Sequence, residues 1–128
     1  MFGKTMRVVV AAAIAITMLG AVPALAKDGD VIRRGACSGS SDWKLKLSPE
    51  DGKLEVEYEV DSNKVGQTWN VKLWKNGSRI FNGSRVTKAP SGSFTVRVVT
   101  ANTAGTDSFS ARAANAATGE VCGGRASI

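Results

Sequence analysis

The sequence predicts an all-β fold, an antiparallel β-sandwich of about seven to eight short strands closed by one disulfide. Three observations carry this. From residue 40 onward apolar and polar residues alternate with period two, and no stretch sustains a helical period. Pro, Gly, Asn and Asp clusters punctuate that alternation at the spacing typical of short sheet strands. Two cysteines, Cys37 and Cys122, stand near opposite ends of the patterned region.

Residues 1–26 are of a different kind. Lys4 and Arg7 precede an uncharged stretch from Val8 to Ala26, the anatomy of a secretory signal peptide. The apolar run falls short of the roughly 20 residues of a spanning helix, and Pro23 breaks it. Ala24-Leu25-Ala26 then offers small side chains at the two positions that signal peptidase reads, so cleavage is expected between Ala26 and Lys27. The mature chain, residues 27–128, is long enough for one domain and is expected to be secreted or held at the envelope, monomeric and without a membrane span.

The formal charge is +6, and Lys4 and Arg7 take two of those charges with the leader. A mildly basic domain favours anionic surfaces such as cell-wall polymers or lipid headgroups, and is no nucleic-acid footprint by itself. In an oxidising destination an even cysteine count predicts a Cys37–Cys122 bond. Closing a loop of about 85 residues removes denatured-state entropy worth roughly 4.5 kcal/mol.

A first strand spans Val31 to Cys37. Trp43, Leu45 and Leu47 alternate with Asp42, Lys44 and Lys46, and Leu54, Val56, Tyr58 and Val60 with Glu55, Glu57 and Glu59. Ser48 to Lys53 carries turn chemistry between them. A hairpin with Leu47 opposite Leu54 would set Lys46 against Glu55 and Lys44 against Glu57, so the glutamate row reads as a charged sheet face rather than a catalytic array. Asp61 to Gln67 is a polar loop with a partial calcium-loop start, in which Val65 and Lys72 occupy ligand positions. It is read as a turn.

Trp69, Val71 and Leu73 form the next strand, ended by Asn76-Gly77, a strong hairpin signal. A second Asn-Gly follows at 82 and 83 and is also read as a turn. After Lys88 to Gly92, strands follow through Phe94, Val96 and Val98, through Phe109, Ala111 and Ala113, and from about Glu120 to Ile128.

Two segments carry a resemblance. Trp74-Lys75-Asn76-Gly77 looks like the end of strand C in immunoglobulin-type modules, and Asp107 to Asn115 is similar to their strand F. Ala111 stands where a strand F cysteine would be, so the likeness is to the wider immunoglobulin/fibronectin-like sandwich group, with Cys37 and Cys122 tying the first strand to the last. The whole chain also resembles small exported actinobacterial proteins, which carry no assigned activity with them.

The chain has no histidine, which removes Ser-His-Asp and Cys-His catalysis and imidazole metal sites. Paired cysteines would remove thiol chemistry and Cys-ligated zinc as well. No enzyme, cofactor or metal site is expected. The one surface that suggests binding is Trp74 with Lys72, Lys75, Arg79 and Arg85. If Trp69, Val71 and Leu73 point inward, alternation turns Trp74 outward among these cations. A bulge before the Asn-Gly turn would instead rotate Trp74 into the core, and this is the favoured reading.

The expected function is a non-enzymatic, secreted binding or surface-interaction module whose partner is a protein or a cell-envelope polymer. The alternatives are a small-ligand carrier, like the immunoglobulin-like apoproteins that hold antibiotic chromophores, and a secreted protease inhibitor presenting Lys88 to Gly92.

Overall fold

The computed structural model of the protein describes residues 29–128; the expected cleavage at Ala26 and Lys27 lies outside the described residues. Eight antiparallel strands, β1 (Val31–Ala36), β2 (Asp42–Glu50), β3 (Lys53–Asp61), β4 (Thr68–Lys75), β5 (Ser78–Val86), β6 (Ser93–Ala101), β7 (Ser108–Asn115) and β8 (Val121–Ser127), form two four-stranded sheets. One sheet runs β1-β2-β3-β6 and the other β5-β4-β7-β8. The chain crosses between them after β3, β5 and β6, and the other four connections are hairpins within a sheet.

Period-two alternation becomes the core directly. Leu45, Leu47, Leu54, Val56, Tyr58 and Val60 from one sheet meet Trp69, Val71, Leu73, Phe109, Ala111 and Ala113 from the other, all buried. Phe94 and Val96 of β6 complete the filling, with the Phe94 ring 6.3 Å from that of Trp69. A one-residue slip in any of these strands would exchange this set for charged neighbours.

The β2–β3 register differs from the expected one by two residues. Leu47 pairs with Val56, Lys46 with Glu57 and Lys44 with Glu59. The turn is only Asp51-Gly52, both at positive φ (51° and 77°), so the strands run on to Glu50 and Lys53. Pro49 is tolerated inside β2 because β1 pairs no further than Val31 with Leu47, and no ladder bond is lost on that side. An even shift keeps every side chain on its face, which is why the charge pairing survives in altered form.

Asn76-Gly77 is the expected two-residue turn, with φ of 50° and 84°. The second Asn-Gly is not a turn. Asn82 and Gly83 lie within β5, paired with Lys72 and Val71, and the Phe81 ring lies over Gly83 in place of a side chain there.

The predicted staple is present. Cys37 follows β1 and Cys122 lies in β8, so their bond joins the edges of the two sheets across 85 residues of sequence. Beside it the Tyr58 hydroxyl donates to the Cys122 carbonyl at 2.8 Å, tying β3 to β8 through the core. Burial raises the Tyr58 pKa well above its ordinary value, and the Arg112 charge only partly offsets this. A tyrosine with a raised native pKa contributes stability that is complete below about pH 10 and is lost as pH climbs past it, because the unfolded phenol ionises first. Tyr58 is the only tyrosine. Phenolate absorbance should therefore appear together with unfolding, and titration of the folded domain near pH 10 would contradict the buried phenol. Tyr58→Phe should remove that coupling and cost about 1–2 kcal/mol at neutral pH.

Candidate functional site

The antiparallel registers lay β5, β4, β7 and β8 side by side, so residues on the outer face fall into rows. One row is Arg79, Trp74, Ser110 and Arg125; the next is Asn82, Lys72, Arg112 and Gly123. With strands about 4.8 Å apart, each row spans about 14 Å. Arg79, Arg112 and Arg125 are exposed, and Lys72 and Trp74 are half-buried.

Trp74 therefore points outward, which corrects the favoured expectation. The register does shift between Leu73 and Trp74, but only against β5, where Leu73 pairs with Phe81 and Trp74 with Arg79, leaving Ile80 as the extra residue. Against β7 the pairing is unbroken, from Leu73 with Ala111 to Trp74 with Ser110. The bulge bends β5, and β4 keeps its alternation.

The expected cation set is divided. Lys72 and Arg79 join Trp74 on the outer face. Lys75 reaches the other way, donating to Thr100 Oγ1 at 3.3 Å and to the Ala101 carbonyl of β6. Arg85 shares a face with Phe81 on the inward side of the edge strand β5, its guanidinium 5.0 Å from the Phe81 ring centre. Their places are taken by Arg112 and Arg125, which sequence proximity to Trp74 did not suggest.

Beside this face a surface trough of about 580 Å³ follows β8. Its floor is the backbone of Gly123 and Gly124, Trp43 and Trp74 contribute to its walls, and Arg33, Arg34, Arg112 and Arg125 surround it. Trp43 is fixed by absent side chains. A Cβ at Gly35 of β1 would lie 2.7 Å from the indole, and one at Gly124 of β8 would lie 2.5 Å from it. The ring is thus held between the two sheet edges, half-buried against the core. A Cβ at Gly123 would meet only the Ala111 carbonyl, at 3.9 Å.

Trp74 is anchored through the turn that follows it. Asn76 Nδ2 donates to Asp107 Oδ1 at 3.0 Å, and the Ser108 N–H donates to Asn76 Oδ1 at 2.8 Å. Asp107 is buried and also accepts from the Thr103 hydroxyl and, at 3.1 Å, from the Thr103 N–H. The Thr103 and Asn76 hydrogen bonds hold its carboxyl below the usual carboxylate range.

The two sheets differ sharply in charge. Strands β5, β4, β7 and β8 contain Lys72, Lys75, Arg79, Arg85, Arg112 and Arg125 and no Asp or Glu. Strands β1, β2, β3 and β6 balance Arg33, Arg34, Lys44, Lys46, Lys53 and Arg97 against Asp42, Glu50, Glu55, Glu57, Glu59 and Asp61. Arg97 pairs with Glu55 and lowers its pKa, Lys44 pairs with Glu59 at 3.6 Å, and burial raises the pKa of Glu57. Among the described residues none of Arg79, Arg112 and Arg125 is in an ion pair. The carboxylates nearest along the chain to Arg112 and Arg125 are already engaged: Asp107 with Asn76 and Thr103, and Glu120 with the N–H groups of Gly39 and Ser41 and the Ser41 hydroxyl, at 2.9–3.0 Å.

Against that geometry the chain was compared with known proteins. No family model, curated protein or solved structure matches it. Among the described residues no group of His, Cys, Asp and Glu could hold a metal ion. The sulfurs of Cys37 and Cys122 are consumed in their bond. What the face offers is positive charge and the Trp74 indole, beside a stretch of β8 without side chains and the edge of Trp43.

Proposed function

We propose that the domain is a secreted, non-enzymatic binding module whose β5-β4-β7-β8 face takes an anionic polymer of the cell envelope. The observation that carries this is a sheet with outward Lys72, Arg79, Arg112 and Arg125 and no acidic residue in any of its four strands. Unneutralised cations on a rigid face raise the local concentration of polyanions and speed their capture. The opposite sheet, with its balanced charges, offers a second copy little electrostatic attraction, which favours a foreign partner over self-association.

The strand order supports the proposed place among immunoglobulin-like sandwiches. β2-β3-β6 against β5-β4-β7-β8 corresponds to strands A-B-E against C′-C-F-G of that architecture, with β1 added at the edge. Such scaffolds serve many functions, so the face rather than the fold supports the reading. The alternatives have less to stand on. Core side chains fill the space between the sheets, where a carried ligand would sit. Lys88 to Gly92 is a closed turn, with the Gly92 N–H donating to the Lys88 carbonyl at 2.8 Å and Gly92 itself buried, rather than an extended segment a protease could bind.

The test is retention of the natural product on envelope preparations from the producing cell. Arg79→Glu/Arg112→Glu should weaken binding roughly tenfold or more at low salt, equivalent to about 1.4 kcal/mol. The gap should narrow as salt screens exposed charges. Retention that is indifferent to both salt and charge reversal would remove this reading.

A further inference from the structure

We infer that the trough along β8 is a subsite for one sugar ring of an acidic polysaccharide, and that it lets the domain tell ring-bearing polyanions from ring-free ones. The inference rests on the anionic-polymer reading of the face and deepens it. Cations alone would bind any polyanion in proportion to its charge. The trough adds what cations do not supply: the Trp74 indole on the outer surface and a stretch of β8 backbone without side chains, backed by Trp43.

Gly123 and Gly124 fall together on β8, and each leaves a different space. The missing side chain of Gly124 is replaced by the Trp43 ring, whose six-membered part would lie 2.5–2.8 Å from a Cβ there. The missing side chain of Gly123 is replaced by nothing within 3.9 Å, which opens the outer surface over the backbone. Trp74 lies on that outer surface, one row from Gly123, with Arg112 and Arg125 beside it. The trough, about 580 Å³, is open along the surface, as a site for one unit of a longer chain must be.

A flat ring laid over Gly123 would put one C–H face toward the Trp74 indole and its acidic substituent within reach of a guanidinium. Arginine suits that role because its planar fork engages a carboxylate through two parallel hydrogen bonds. A ring-free chain of phosphates would satisfy the arginines and leave the Trp74 indole unused. Nucleobases also stack on aromatic rings. Against them stands the disulfide, which marks an oxidising compartment. An acidic polysaccharide meets the charge, the ring and the compartment together.

Three probes of matched charge at one salt concentration test this: galacturonate oligomers, inorganic polyphosphate and oligothymidylate, followed by tryptophan fluorescence and calorimetry. Of the three tryptophans Trp69 is fully buried, so a spectral change reports on Trp43 and Trp74. The uronate oligomer should bind at least about tenfold tighter than polyphosphate, a difference of about 1.4 kcal/mol. Trp74→Ala and, independently, Gly123→Val should each erase that preference by weakening uronate binding alone. Equal affinity for uronate and polyphosphate, a preference that survives both variants, or tighter binding of oligothymidylate would overturn the subsite and leave the anionic face standing. Binding of none of the probes by the unaltered protein would overturn both.

Discussion

Replacing Cys37 and Cys122 together by alanine is expected to lower the unfolding free energy by roughly 3–4.5 kcal/mol. The bond spans 85 residues, so the unfolded chain loses much of its freedom when it is closed. Its position adds a second contribution. Cys122 is fully buried and belongs to the core cluster, and Cys37 packs against that cluster, so alanine also leaves small voids. The bond further closes the side of the sandwich where β1 and β8 are unpaired edge strands, one in each sheet. Urea unfolding of the oxidised protein and the double variant measures the loss, and the slope should rise as the freed unfolded chain exposes more surface. A loss under about 1 kcal/mol would mean that core packing, rather than the staple, holds the edges together. The variant should keep the outer face of β5-β4-β7-β8, since neither sulfur supports Trp74 or Arg112 directly.

The fold was legible because its signals are local. Leu45, Val56, Val71 and Ala111 each follow from period-two patterning within one strand, and every one is buried. Register was less legible, since alternation fixes the face of a side chain and not its partner. The β2–β3 shift of two residues shows this: Asp51-Gly52 is the stronger turn signal, yet Pro49 drew the boundary too early. Asn82-Gly83 misled for the converse reason, because Phe81 supplies from its own strand the packing that glycine lacks.

The candidate site was legible only in part. Trp74, Lys72 and Arg79 lie close in sequence and also in space. Arg112 and Arg125 reach Trp74 only through the pairing of β4 with β7 and of β7 with β8, a contact between distant segments that no local pattern encodes. One signal in the sequence did bear on them. No acidic residue occurs between Asp61 and Asp107, and after Asp107 only Glu120. Those segments supply β4, β5, β7 and β8 as well as β6, and β6 joins the sheet whose acids come from β2 and β3, so only β5-β4-β7-β8 is left without any.

Gly124→Val and Gly123→Val, a single position apart on β8, should behave oppositely. At Gly124 the added Cβ would lie 2.5, 2.7 and 2.8 Å from three carbons of the Trp43 ring, closer than side-chain atoms pack. The ring cannot retreat, because Gly35 grips its other side and a Cβ there would be 2.7 Å away. Either the indole leaves its slot or β8 moves off β2, and each route gives up core contacts, so a loss of about 3 kcal/mol is expected. At Gly123 the new side chain enters open space on the outer face, in a strand where valine is favoured over glycine, and stability should stay within about 0.5 kcal/mol or improve. Chemical denaturation of both variants decides the matter, and similar losses at the two positions would contradict the slot geometry. The asymmetry also separates stability from recognition along one strand. Trp43 is held by a glycine whose replacement unfolds the edge, whereas the neighbouring glycine can be filled at little cost to the fold, leaving any change in ligand preference attributable to the trough itself.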